Sequence, residues 1–258
     1  MKSKFKEKIK TFLLVVLCVA VALAISFFLR SRGYLEPLDC KGKNSIFIER
    51  GSYRFCFDKE KKQPSWVMQF VEKGAFREKQ REYFSSYSPD PDIPKEDQAT
   101  QSDYEGSSFV ISTFLFPVSQ VFNGEEEHHS QYFFSVTSPQ NQDFHHGYWI
   151  KLRDRVKALA SVQDRDKVVV LSGPLFFSEK RTVVEPGEVP APSHFFQLIA
   201  PTPNSEEIEA YIVPNEKINE NTPLSEFEVS MKEFERQTGI KSAEKIAIYL
   251  FYPMPGVP

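Results

Sequence analysis

The residues best equipped for chemistry are five histidines and one short run of cations. Four of the histidines come as adjacent pairs: His128-His129, behind Glu125, Glu126 and Glu127, and His145-His146. Imidazole suits zinc or nickel, so His145, His129 and a nearby carboxylate sketch a transition-metal site. The plainer reading is preferred. It makes 125–129 a solvated loop and His145 a polar residue just ahead of a helix, because adjacent side chains in a strand or loop tend to point apart. Lys151, Arg153, Arg155 and Lys157, with Arg165 and Lys167 beyond them, form the best basic cluster for a phosphate or a nucleic-acid backbone. Asp154, Asp164 and Asp166 interleave with them, as on a solvated helix face.

The elements that must position these residues are legible from period. Ser45–Glu49 and Tyr53–Asp58 read as strands around Gly51, with Tyr53, Phe55 and Phe57 alternating with Arg54, Cys56 and Asp58. Trp66–Val71, Phe109–Phe116, Tyr132–Val136, Val168–Leu171, Phe195–Ala200, Ala210–Val213 and Ile246–Phe251 are further strands. Trp149, Leu152, Val156 and Leu159 recur at helical steps with charge between them, which predicts an amphipathic helix over 147–160. Ser230 and Glu233 form a capping box for a short helix, Met231 to Thr238, stopped by Gly239. The Ser-, Asp-, Pro- and Gln-rich stretch 85–108 is too long for an ordinary connector and is either functional or mobile. These elements add up to an α+β domain with a mostly antiparallel sheet and a few helices.

The N-terminal thirty residues differ in kind. Lys2, Lys4, Lys6, Lys8 and Lys10 form a basic head, residues 1–10. Residues 11–29 then carry no charge, a length that spans the hydrocarbon core of a bilayer as one helix. A cleavable signal peptide is the competing reading, with sites at Ala20-Val21-Ala22 and Ala22-Leu23-Ala24, but the apolar run continues past both. The lysine excess ahead of the run predicts a cytoplasmic head and an outward-facing domain. The expected layout is head 1–10, transmembrane helix 11–29, tether 30–44 and domain 45–258. The expected site is a bacterial inner membrane facing the periplasm, with the mitochondrial inner membrane second.

Beyond residue 32 the chain carries 25 basic against 34 acidic residues, a net of about −9. That balance argues against non-specific nucleic-acid binding, which favours a basic face. Cys40 and Cys56 lie outside the apolar run. They either bridge across the first hairpin in an oxidising compartment or remain two thiols with Cys56 packed in a strand.

Eight segments, in order, resemble the DNA/RNA non-specific endonucleases, the endonuclease G-like family. They are Tyr53–Asp58 with Pro64-Ser65-Trp66-Val67; Asp103-Tyr104-Glu105-Gly106-Ser107; Ser138-Pro139-Gln140-Asn141; Gly147-Tyr148-Trp149; Ser172-Gly173-Pro174-Leu175; Pro190 with Ser193-His194-Phe195-Phe196; Val213-Pro214-Asn215; and Pro223–Val229 running to Thr238-Gly239. The resemblance covers about residues 53–240. It implies a ββα-metal (His-Me) nuclease fold, a histidine that activates water, and a divalent cation, usually magnesium, held by an asparagine. His194 falls where the family has a histidine away from the chemistry, which implies a structural role.

Carried over residue by residue, the family's site is missing. Its Asp-Arg-Gly-His falls on Val110, Ile111, Ser112 and Thr113, and a shift that aligns Pro117 puts Phe114 at the histidine instead. The metal-holding asparagine falls on His145, and the glutamate eight residues later on Arg153. A threonine hydroxyl is no general base near neutral pH, a role worth about 10²–10⁴ in rate. Magnesium prefers hard oxygen ligands. The expectation is therefore a membrane-anchored member of the family that has lost catalysis and serves as a binding or scaffolding module. Two alternatives stand beside it: a metal-dependent nuclease rebuilt around His145, and nucleic-acid binding without cleavage. No cofactor is expected under the main reading, and magnesium or a transition metal only under the rebuilt one. Expected partners are the membrane, through residues 11–29, and an unidentified protein; nucleic acid is disfavoured by the acidic domain, and a homodimer is left open.

Overall fold

The computed structural model describes residues 38, 40, 42–73, 75–76, 87–116, 129–162, 167–177, 182–184, 189–201 and 207–241. The expected head, the apolar run 11–29, most of the tether and the strand at Ile246–Phe251 lie outside them. The chain divides into Met1–Asp39 and Cys40–Pro258, and the second unit carries the fold described below.

Ten strands are β1 (Ser45–Arg50), β2 (Tyr53–Asp58), β3 (Gln63–Glu72), β4 (Phe109–Thr113), β5 (Thr137–Asn141), β6 (Lys167–Leu175), β7 (Thr182–Val184), β8 (Val189–Ala191), β9 (His194–Ala200) and β10 (Glu209–Pro214). Two helices, α1 (Ile150–Ala160) and α2 (Met231–Thr238), complete the main elements. Six strands form the central sheet in the order β1-β2-β3-β6-β9-β10, and β4-β5 and β7-β8 are separate pairs. Every neighbouring pair among these strands is antiparallel.

One face of the sheet carries the main core. Tyr53, Phe55, Phe57, Val67 and Phe195 meet Phe144, Trp149, Leu152, Val156 and Leu159 of α1 and its lead-in, all buried. The stripe expected at helical spacing is therefore the buried face, each large side chain contributing about 1.5–3 kcal/mol. The opposite sheet face is also covered: Phe234 of α2 packs edge-on to Phe196, with ring centroids 5.6 Å apart. At the other end of the sheet, β2 is buried on both faces rather than alternating. Its polar member, Arg54, is paired with Glu49 at 2.7 Å, and Cys56 is bonded to Cys40. The disulfide closes a sequence separation of 16 and ties the start of the domain to the sheet, a loop closure worth about 3 kcal/mol. Helix α2 starts and stops where expected. Ser230 accepts from the Glu233 N–H, and Gly239 adopts φ 72° at the C-terminal end.

One expectation is corrected and another is narrowed. Tyr132–Val136 is not a strand: Phe134–Val136 is a short 3-10 helix, and the strand follows at Thr137–Asn141. The stretch 87–108 is ordered by buried contacts. Asp90 and Gln98 are 1% and 3% exposed. The Gln98 side chain accepts from Asp90 N–H at 2.6 Å and donates to the carbonyls of Asp90 and Ile93.

Three amides outside the β4–β5 pair fix it in place. Gln69 Nε2 donates to Phe116 O at 3.0 Å, and Phe116 N donates back to Gln69 Oε1 at 2.6 Å. Ser138 donates to Gln63 Oε1 at 2.6 Å, while Gln63 Nε2 reaches Pro190 O at 2.8 Å. Asn215 accepts from Asn141 N–H at 2.7 Å and donates to the carbonyls of Pro139 and Pro192. Strand β5 is polar and buried, so these long-range bonds replace the apolar contacts that would otherwise hold it.

Candidate functional site

β4 and β5 run antiparallel with Thr113 opposite Thr137 and Val110 opposite Gln140. The chain leaves β5 through one helical turn, Gln142–Phe144, capped by the Asn141 side chain, and then a π-helical stretch, His145–Trp149, before α1 begins. The π stretch has a geometric consequence. In a regular α-helix, positions eight apart sit about 80° out of phase. The wider turn takes up most of that offset and swings Arg153 toward the face that carries His145.

The outcome is one shared corner. Arg153 Nη1 donates to Leu115 O at 3.2 Å, and its guanidinium lies 4.8 Å from the Phe116 ring centroid. Leu115 N–H in turn donates to Thr113 Oγ1 at 3.1 Å. His145 Nδ1 sits 2.9 Å from Gln140 Oε1. Burial, the neighbouring His146 and the positive charge of Arg153 push His145 down to about 4, so its ring is neutral at physiological pH. Burial pulls Arg153 down to about 10, although part of its side chain still meets solvent. Thr113 and His145 are likewise half-buried.

Two tyrosines and an amide that sequence reasoning missed complete the corner. Burial pushes Tyr87 up to about 12, against the opposing pull of Arg153 and of a backbone hydrogen bond at Thr113. Its ring centroid is 6.3 Å from that of Tyr132, whose hydroxyl is also raised by burial and opposed by Arg153. Gln140 is 1% exposed, and among the described residues its Nε2 has no partner. Gln140 was in plain view within the Ser138–Asn141 motif, but Tyr87 and Tyr132 carry no local signal of their proximity.

The remaining sequence candidates do not join them. Lys151 bonds the carbonyls of Glu220 and Thr222, the latter at 3.0 Å. Arg155 is bound through its guanidinium to Glu209, which raises its pKa. Lys157 pairs with Asp154 at 3.2 Å and lies over Phe76. The cluster expected to act together is therefore divided, and Arg153 alone faces the corner. His145 and His146 do not point apart, as expected of an adjacent pair: their rings are edge-to-face with centroids 4.9 Å apart. His194 is held by Ser193 Oγ at 3.1 Å beside Phe177, and burial lowers its pKa. His128 and Arg165 lie outside the described residues.

A divalent cation does not fit this donor set. Among the described residues there is no group of three or more His, Cys, Asp or Glu side chains that could hold one. The imidazole of His145 is a poor magnesium ligand, and a guanidinium beside it repels any cation. Unit charges of one sign about 4 Å apart cost roughly 4 kcal/mol at an effective dielectric of about 20, and a dication doubles that.

Comparison with known proteins agrees with the fold. A family model described as DNA/RNA non-specific endonuclease matches residues 33–247. Mouse (Mus musculus) "Nuclease EXOG, mitochondrial" is 26% identical over 203 residues, covering 73% of this chain and 54% of that protein. "Nuclease 1, mitochondrial" of Schizosaccharomyces pombe is 27% identical, covering 73% of this chain and 63% of its own length. The chain thus spans only about half to two thirds of these two relatives. "Nuclease C1" of Cunninghamella echinulata var. echinulata is 27% identical over 78% of this chain and 84% of that protein. A chain from the crystal structure of the EndoG/EndoGI complex superposes with TM-score 0.68 at 20% identity, covering 79% of this chain and 89% of that one. The fold is therefore that of the EndoG type, α+β with a mostly antiparallel sheet.

These relatives correct the expected localisation. Those from mouse and fission yeast are named as mitochondrial nucleases, and among the described residues no helix is long and apolar enough to cross a membrane. The single-pass, periplasm-facing arrangement is withdrawn.

Proposed function

The chain belongs to the DNA/RNA non-specific endonuclease family, and from that premise we propose that its ligand is the phosphodiester backbone of nucleic acid, received where Thr113, His145 and Arg153 meet. The observation that carries this reading is Arg153. Its guanidinium sits at the corner of β4, β5 and α1 with a carbonyl and an aromatic face as neighbours, and among the described residues no carboxylate pairs with it. A guanidinium so placed offers a planar fork of donors suited to a phosphate oxygen. The acidic remainder of the domain keeps such binding modest, and a single cationic contact makes its salt dependence shallow. Thr113 gives no general base, so this first reading is binding without cleavage.

The second reading is phosphodiester hydrolysis by a site rebuilt around His145, and it is the one the relatives favour, since all those compared above are named nucleases. A specific geometry supports it as well. With Nδ1 donating to Gln140 Oε1, the neutral imidazole keeps Nε2 as a proton acceptor, the state a general base requires. Arg153 would then neutralise charge developing on the phosphate. A pKa near 4 makes His145 a weak base, which predicts slow turnover.

One experiment separates the two. The full-length chain is incubated with supercoiled plasmid and single-stranded RNA in magnesium, manganese, zinc and chelator in turn. Binding is expected in a gel-shift assay, with intact nucleic acid recovered throughout. Nicking that disappears on His145→Ala would replace the first reading by the second. Absence of binding at every salt concentration would refute both.

A further inference from the structure

We infer that the guanidinium of Arg153 stands in for a divalent cation, so that this corner takes a phosphate group directly, with no metal ion between protein and ligand. The inference rests on the reading of the corner as a phosphodiester site and deepens it. Three observations carry it. Arginine has five N–H donors, and among the described residues the protein uses one of them, for Leu115 O. Among the described residues no carboxylate bonds this cation, held among Tyr87, Tyr132, Phe116 and His145; Asp154, which acts on it at a distance, is itself paired with Lys157, and a phosphate oxyanion supplies the missing charge. The buried Nε2 of Gln140, next to His145, is a second donor without an acceptor. An unpaired cation and an orphaned donor on one corner both ask for oxygen with negative charge, and neither is a metal ligand.

Arg153 is half-buried rather than fully enclosed. The flanking tyrosine rings suit a nucleotide better than a free ion, because a base can stack on an aromatic face while its phosphate meets the charge.

The test uses the isotopically labelled full-length chain, first with inorganic phosphate and then with fluorescein-labelled single-stranded RNA, each in chelator and in excess magnesium. Phosphate is expected to give saturable shifts of the His145 ring signals in chelator. Arg153→Met should abolish them. Arg153→Lys, which keeps the charge but loses the fork, should bind at least about tenfold more weakly than the unaltered chain. RNA affinity is expected to change less than about twofold between chelator and magnesium, against the tenfold that 1.4 kcal/mol represents. Absence of phosphate binding in chelator would overturn the inference, as would RNA binding that requires magnesium, or Arg153→Lys or a folded Arg153→Met that binds phosphate like the unaltered chain. Phosphate binding without RNA binding would support the inference while refuting the nucleic-acid reading.

Discussion

Among the described residues two arginines lie over aromatic rings, and they differ in the charge that surrounds them. Arg50, at the end of β1, sits 5.1 Å from the Phe133 ring and 5.8 Å from Phe55. Its two terminal nitrogens reach both oxygens of Asp90, Nη1 at 3.0 Å, while Nη2 also reaches Asp92 at 2.6 Å and Nη1 reaches Tyr53 at 3.1 Å. Asp90 is fully enclosed and accepts a further bond from Ser135. Burial pulls Arg50 down, but the bonds to Asp90, Asp92 and Tyr53 outweigh it, and its pKa rises. Arg153 has one carbonyl, one ring face and two opposing tyrosines, and its pKa falls. Burial is common to both. What separates them is the counter-charge: Asp90 makes Arg50 a fastening of loops, whereas among the described residues no carboxylate bonds Arg153, the cation proposed above to meet a ligand.

The sharpest way to break this comparison is at Asp90. Asp90→Ala leaves Arg50 with only the exposed Asp92 as counter-charge, frees the Ser135 hydroxyl and the Asp92 N–H, and loosens the hold of the 87–104 segment on the sheet. Removing one partner of a buried pair costs about 3–5 kcal/mol. Urea denaturation should show that loss. A loss below about 1 kcal/mol would mean that the carboxylate is not what anchors Arg50.

His145 gives the next effect, through pH. Its folded-state value near 4 lies below the ordinary 6.5, so in that interval the unfolded chain holds a proton that the folded state refuses. Stability is therefore complete above about pH 6.5 and declines as the pH falls toward 4. The decline is on the order of 2 kcal/mol once partial solvent exposure is discounted. In His145→Asn the part of the acid slope that belongs to this ring should vanish. Equal slopes in the two proteins, from urea titrations at about pH 7 and about pH 5, would mean that burial, His146 and Arg153 together do not hold the His145 ring neutral.

How much of this was legible depended on where the partners lay. The stripe Trp149, Leu152, Val156 and Leu159 was readable because its period is local and its contacts follow from it. The same holds for the Ser230 cap and Gly239. Tyr132–Val136 misled because a short apolar run buried on all sides has no informative period. Its real conformation is set by distant partners, Ser88 O accepting from Phe134 N and Asp90 from Ser135. Strand β5 was hidden for the opposite reason. Thr137, Ser138 and Gln140 look like loop residues, and the strand is held by partners remote in sequence, such as Gln63, 75 positions before Ser138, and Asn215. At the candidate site, motif alignment assigned Thr113, His145 and Arg153 to one place. The π stretch that helps bring the last two to a common face, and the tyrosines beside them, belong to tertiary packing.

The smallest effect discriminates most finely, because its sign should be opposite to that of Asp90→Ala. Arg153→Met keeps the stem that packs on Phe116 and removes a charge that burial disfavours, as the fall from 12.5 to about 10 records. Against this stands one lost hydrogen bond to Leu115 O, worth about 1 kcal/mol. Replacing a poorly compensated buried charge by a methionine of similar reach more than offsets that loss, so the variant should be about 1 kcal/mol more stable. A protein that gains stability by losing an arginine has been keeping it for a ligand rather than for its fold. If Arg153→Met instead loses more than about 2 kcal/mol in urea denaturation, Arg153 is a fastening of the same kind as Arg50. The corner would then have no claim to an anion.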